Sequence, residues 1–197
     1  MGRKYASILI RAEGLDAKGL QAAWQRSQRA KGVAVMPDPV QLMGKLGLDS
    51  DVNPIQAGVM RALAEKFRSA AARGTGIARR GDVFVLRDMR LGFENVEKAA
   101  LALSAQVAPA VLFAAVFDED VYLFGVCKGG TLLGKDVDGE GLAAYGLQQQ
   151  CMPPEALPAF LGSGYAAKCA GLHGEALEAA LVGALVGALN HPLDGRE

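Results

Sequence analysis

The stretch VLFAAVF (residues 111–117), DED (118–120), VYLFGVC (121–127), KGG (128–130) and TLLGKDV (131–137) decides the fold class. Its first and third segments are apolar at nearly every position, the pattern of strands covered on both faces. The acidic triplet between them and the Gly129-Gly130 pair after Lys128 are turn signals. Thr131 to Val137 is more polar, which places it nearer a sheet edge. Three strands joined by such short turns form an antiparallel meander.

Working upstream, Pro109 resets the chain after a predicted helix from Phe93 to Val107. Phe93, Val96, Ala100, Leu103 and Val107 recur at helical spacing, and Glu94 and Glu97 suit the positive end of the helix dipole. Asp82 to Arg87 reads as a strand, so strand, helix and meander follow one another. Tyr5 to Ile10 is a further strand. Asp16 caps a helix running to about Lys31, with Leu20, Ala23, Trp24 and Ser27 on one face and Gly32 as its stop. Val33 to Pro54 is irregular, with a helical piece between Val40 and Leu46. Pro54 to Arg73 is a helix striped by Ile55, Val59, Leu63 and Phe67, with Arg61, Glu65 and Arg68 on another face.

Downstream, Pro153 to Leu161 and Gly174 to Asn190 are read as helices. The longer one has no charge from Ala179 to Leu189, so it is expected to be buried or docked on a partner. Its small residues Ala176, Ala180, Gly183 and Gly187 lie in one stripe, which implies close approach of another element, in this chain or in a second copy forming a homodimer through the 174–190 helix. The expectation is a single α+β domain over 1–197, with a mostly antiparallel sheet of four to five strands packed with helices. Gly74 to Gly81 is the best place for a subdivision.

The chain has 197 residues, 51% of them apolar and 21% charged. At this size folding buries roughly 70% of the unfolded surface without metal or disulfide staples. Three cysteines, Cys127, Cys151 and Cys169, form no framework and fit a reducing compartment. The apolar run near the start ends at Arg11, and nothing reaches the ~18 apolar residues of a membrane span. The expected setting is the cytoplasm. Net charge is zero, yet residues 1–98 carry 17 basic and 10 acidic side chains, while residues 99–197 carry 4 and 11. A split of +7 against −7 means either a surface for an acidic partner or two halves that attract each other.

Each chemical motif meets a competing reading. Gly129-Gly130-Thr131-Leu132-Leu133-Gly134-Lys135 matches a phosphate loop, but Asp136 stands where a hydroxyl should ligate magnesium, and a strand follows where a helix is required. A hairpin turn is the better reading. Asp49, Asp51 and Asn53 begin like a calcium loop that fails at Pro54 and Met60. Asp136, Asp138 and Glu140 read as a solvated turn. Cys169 and His173 have the spacing of a helical pair, but Gly171 and Gly174 interrupt the helix, leaving a buried cysteine near a surface histidine. Ser163 between Gly162 and Gly164 lacks the outer glycines of a nucleophile elbow. No catalytic, metal or cofactor set emerges.

The order DVFVLRD, then FENVEKAALALSAQVAPAVLFAAVFDEDVYLFGVCKGG, resembles a loose group of bacterial α+β proteins of unknown function. The resemblance covers residues 82–130, about a quarter of the chain. It implies a strand and helix leading into an apolar meander with an acidic turn, in a bacterial cytosolic setting, and it carries over no catalytic residue.

The leading expectation is a non-enzymatic protein-binding module, of a toxin-neutralising or other regulatory accessory kind, with Arg61, Arg68, Arg73, Arg79 and Arg80 facing an acidic protein partner. The alternative is a small-ligand binder or enzyme with a pocket between sheet and helices, using Asp118, Asp120, Asp136 or Cys169. Nucleic-acid binding through the 68–90 region, with Arg73 to Arg80 as a basic loop and Arg87 and Arg90 beyond it, is disfavoured by the lack of aromatic interleaving.

Overall fold

The computed structural model describes residues 5–30, 75–88, 90–117 and 120–185. The expected features at Val33 to Pro54 and Pro54 to Arg73, with Arg61, Arg68 and Arg73, lie outside the described residues, as does the continuation past Leu185. Among the described residues, six strands form one antiparallel sheet. They are β1 (Tyr5–Arg11), β2 (Thr75–Arg80), β3 (Val83–Asp88), β4 (Val111–Phe117), β5 (Val121–Lys128) and β6 (Thr131–Gly139), in spatial order β2-β3-β1-β4-β5-β6. The helices are α1 (Ala17–Ala30), α2 (Val96–Ser104), α3 (Pro158–Leu161), α4 (Ser163–Cys169) and α5 (Gly174–Ala184).

The alternation of side chains along a strand sorts each strand's residues between two cores. Leu9, Val83, Val85, Leu112, Ala114, Tyr122, Phe124 and Val126 pack with α3, α4 and α5 on one face. Ile8, Ile10, Phe84, Leu86, Val111, Phe113, Leu123 and Cys127 pack with α1 and α2 on the other. Because both faces are dry, β4 is buried from Val111 to Val116 and reads as a continuous apolar run.

The sheet has one strand more than expected, and the addition is instructive. Arg73 to Arg80 was expected to be a basic loop; Thr75–Arg80 is instead β2, paired with β3 from Thr75↔Asp88 to Arg80↔Val83. Thr-Gly-Ile-Ala-Arg-Arg has weak strand propensity, so the pairing partner supplies what composition lacks. The hairpin turn is Gly81-Asp82, with Gly81 at φ 59°. At the far edge, Val137 exchanges backbone hydrogen bonds with Gln150 (2.8 and 3.0 Å), so the chain returns to cover part of β6.

Other differences are local. The helix expected from Phe93 starts at Val96, because Arg90 to Asn95 form a turn in which the Asn95 side chain accepts from Gly92 and donates to the Arg90 carbonyl. The helix expected from Pro153 is confined to Pro158–Leu161. Gly162 ends α3 and Ser163 opens α4. Within the chain, Ala180 of the α5 stripe packs against the first core, while Ala176 and Gly183 are exposed and nothing lies within 4 Å of where a Gly183 Cβ would stand. The face of α5 that packs inward carries Leu177, Glu178 and Leu181.

Gly125 illustrates how tightly the second core is filled. A Cβ there would overlap the ring of Phe113, its cross-strand neighbour, which is fully buried. Gly125→Ala is expected to destabilise the protein by about 1–3 kcal/mol, the usual cost of overpacking. A urea titration reads this directly.

Candidate functional site

The cysteine–histidine pair separates in the fold. Cys169 ends α4 and is buried, and burial pushes its thiol pKa up, away from nucleophilic use. Gly171, at φ 74°, turns the chain before His173, the residue that immediately precedes α5. His173 Nδ1 lies 2.8 Å from Oδ1 of Asp136 on β6, and the Gly174 amide donates to Oδ2 at 3.2 Å. Asp136 is therefore not part of a solvated turn: its side chain is inaccessible and sits on the face that packs against α5. Asp138, two residues on, accepts from Gln149 Nε2 at 2.9 Å. A Cβ at Gly174 would overlap its carboxylate. Asp–His pairs can orient an imidazole for proton transfer. Here the carboxylate also satisfies an orphan amide at the start of α5 and complements its dipole. The sheet thereby holds the helix at that point.

A second buried carboxylate, Asp88, closes the other end of the hairpin. Arg90 grips it through Nε at 2.7 Å and Nη2 at 2.6 Å, with its own backbone amide at 2.9 Å. Thr75 Oγ1 donates at 2.5 Å and Trp24 Nε1 at 3.3 Å. Burial raises the carboxyl pKa, but the hydrogen bonds from Arg90 and Thr75 and the Arg90 charge outweigh it and hold it at about 2. This bond set ties β2, β3 and α1 together.

The strand registers give the sheet two chemically different ends. Arg11, Val83 and Arg80 are in line, as are Ile10, Val111 and Cys127, with Lys128 opposite Thr131. Arg11, Arg79, Arg80 and Lys128 thus gather at one end, with Asp82 and Glu13 near them. Asp88, Asp120, Asp138 and Glu140 gather at the opposite end, where Arg90 is absorbed by Asp88 and Arg87 donates to Ser7 Oγ at 3.1 Å. Arg79 is exposed; its Nε donates to the Gly81 carbonyl at 3.1 Å and its guanidinium lies 5.9 Å from the Phe84 ring centre. Arg80 is half-buried on the opposite face. Lys128 is exposed, and neither Arg79 nor Lys128 has a carboxylate partner among the described residues.

Between Arg11 and Lys128 lies a cleft of about 460 Å³. Its floor is the segment Ala108 to Ala110 just before β4, and its roof is α3 with Gly162. Arg11 is held there in three ways. Its Nε donates to the Phe160 carbonyl at 2.7 Å, Nη1 pairs with Asp82, and the guanidinium lies 5.4 Å from the Phe160 ring centre. Two smaller clefts flank the Arg90 to Asn95 turn, one of about 360 Å³ beside Tyr5 and Phe117, the other of about 220 Å³ beside Trp24 and Lys98. None of the three is lined by Asp120, Asp136, His173 or Cys169. Asp118 lies outside the described residues.

Of the residues singled out in the sequence, Arg79 and Arg80 are brought to the basic end. Arg11 and Lys128, the groups that complete it, read in sequence only as the ends of two strands. No spacing rule links positions 117 residues apart; the register of β1, β4 and β5 does. Among the described residues no group of three His, Cys, Asp or Glu is placed to hold a metal ion, and no helix is long and apolar enough to cross a membrane. Comparison with family models, curated proteins and solved structures gives no match.

The Asp88 bond set has a pH signature. Its folded pKa lies below the ordinary 3.8, so its contribution to stability is present above that value and lost as pH falls towards about 2. Denaturant titrations across this range are expected to show a loss of stability that Asp88→Asn largely abolishes, while that variant is already less stable than the wild type at neutral pH.

Proposed function

We propose that this chain is a non-enzymatic protein-binding module of a regulatory kind, which takes an acidic partner at the end of the sheet carrying Arg11, Arg79 and Lys128. The observation that carries this reading is the position of Arg79 and Lys128, exposed at the same sheet end with no carboxylate partner among the described residues. Uncompensated surface cations raise the local potential and steer an oppositely charged protein during encounter. The cations of the opposite end are engaged inward: Arg90 holds Asp88, and Arg87 donates to Ser7. Charge asymmetry along the chain thus becomes a directional property of the fold.

The mixture of signs favours protein over nucleic acid. Asp82 and Glu13 sit among the four cations, so the surface does not offer the continuous basic track that follows a phosphate backbone. Partner side chains of mixed charge fit it better.

The test is a titration of the isotopically labelled chain with polyglutamate, followed by amide chemical shifts. Shifts are expected to concentrate on β2, the Gly81-Asp82 turn and Lys128, and to fade towards 1 M salt, where the screening length is about 3 Å. Arg79→Glu should weaken binding about tenfold, equivalent to ~1.4 kcal/mol. Shifts scattered over the whole surface, or unaffected by Arg79→Glu, would sink the proposal.

A further inference from the structure

The outer edge of β2 is open where the other edge of the sheet is not. β6 is partly closed by the chain itself, which returns at Gln150 to bond Val137, and its ladder with β5 shifts register at Val126 and Cys127. Among the described residues, β2 has neither device. It pairs with β3 in one unbroken register from Thr75 to Arg80, contains no proline, and has no buried residue. Among the described residues, no backbone hydrogen bond reaches β2 from its outer side. In an antiparallel ladder alternate residues turn both backbone groups away from the partner. Three of the six residues of β2 therefore offer an N–H and a C=O outward.

The charge at this edge selects among the strands that could be added. The β2–β3 hairpin carries Arg79, Arg80 and Arg87 against Asp82 and Asp88. Both carboxylates are already paired, Asp82 with Arg11 and Asp88 with Arg90. With those two partners included, the hairpin region holds five cations and two anions. α1, which lies against β2, carries no acidic residue to offset the excess. The β2 of a second copy would set four arginines along one seam, and like charges oppose such pairing. An acidic segment instead brings a carboxylate to Arg79, which is exposed and has no carboxylate partner among the described residues.

We infer that β2 is a strand-addition edge, which takes an extended acidic segment of the partner protein as a further strand of the sheet. Bonding to the outward N–H and C=O groups supplies affinity, and a carboxylate beside Arg79 supplies the preference for an acidic strand. The inference rests on the reading of the basic end as a surface for an acidic protein and names how that protein binds.

The test uses the full chain and two end-blocked peptides at low salt. One is an alternating Thr–Glu peptide; the other has the same sequence N-methylated at every amide, which keeps the charge and removes the donors. The first is expected to bind and to slow hydrogen exchange at alternate amides of Thr75–Arg80, the set that β3 leaves unbonded. The N-methylated peptide should bind at least about tenfold more weakly, and Arg79→Glu should weaken the first peptide by a similar factor. Failure of the first peptide to bind, equal binding of the two, binding unaffected by Arg79→Glu, or unchanged exchange at those amides overturns strand addition of an acidic segment. Slow exchange of that set in the free chain also overturns it. A dependence on protein concentration then points to a second copy on the edge, and its absence to cover by the chain itself. Polyglutamate separates the two readings. If it still shifts the Arg79 and Lys128 amides in any of these cases, the acidic-partner surface stands and only strand addition falls; if it shifts nothing at this end, the reading itself has failed.

Discussion

Everything in this fold depends on a sheet that is dry on both sides. In β4 each residue from Val111 to Val116 is buried, and successive side chains serve opposite cores. Such a strand cannot sit at an edge or face water, so it needs partners on both flanks and helices above and below. β1 and β5 are those flanks, and α2 and α5 belong to the two covering layers. The close fit of Gly125 over Phe113 follows from the same constraint, because two sheet neighbours on one dry face must share a fixed volume.

Buried carboxylates fix the layers to the sheet. Apolar contact is non-directional and would let a helix slide or rotate; a carboxylate that accepts from defined donors does not. Asp136 receives His173 and the first amide of α5, and Asp88 receives Arg90, Thr75 and Trp24. Each joins elements remote in sequence, and each would be costly to bury without its donors. Both buried acidic residues thus have architectural work.

With those groups engaged, Arg79 and Lys128 stand out at the basic end by their exposure. The antiparallel sheet turns an excess along the sequence into a difference between two ends of a solid body. Strand ends that terminate in Arg11, Arg80 and Lys128 face one way, and those leading to Asp88, Asp120 and Glu140 face the other. The surface potential at each end follows from that spatial separation rather than from net charge, which is zero.

What the sequence determined by itself was local and periodic. Continuous apolar runs at Val111–Phe117 and Val121–Cys127 declared buried strands, the Gly129-Gly130 turn declared their hairpin continuation, and Asp16, bonded to the Gly19 amide at 2.6 Å, declared a helix start. These signals act over a few residues and so survive in one dimension. The tertiary structure alone decided that Thr75–Arg80 is a strand, since its weak propensity is overridden by pairing with β3. It alone buried Asp136 beneath His173, and it alone set Arg11 and Lys128 on either side of one cleft. Those outcomes follow from strand register and helix docking, which join residues by distance in space, and no spacing along the chain encodes them.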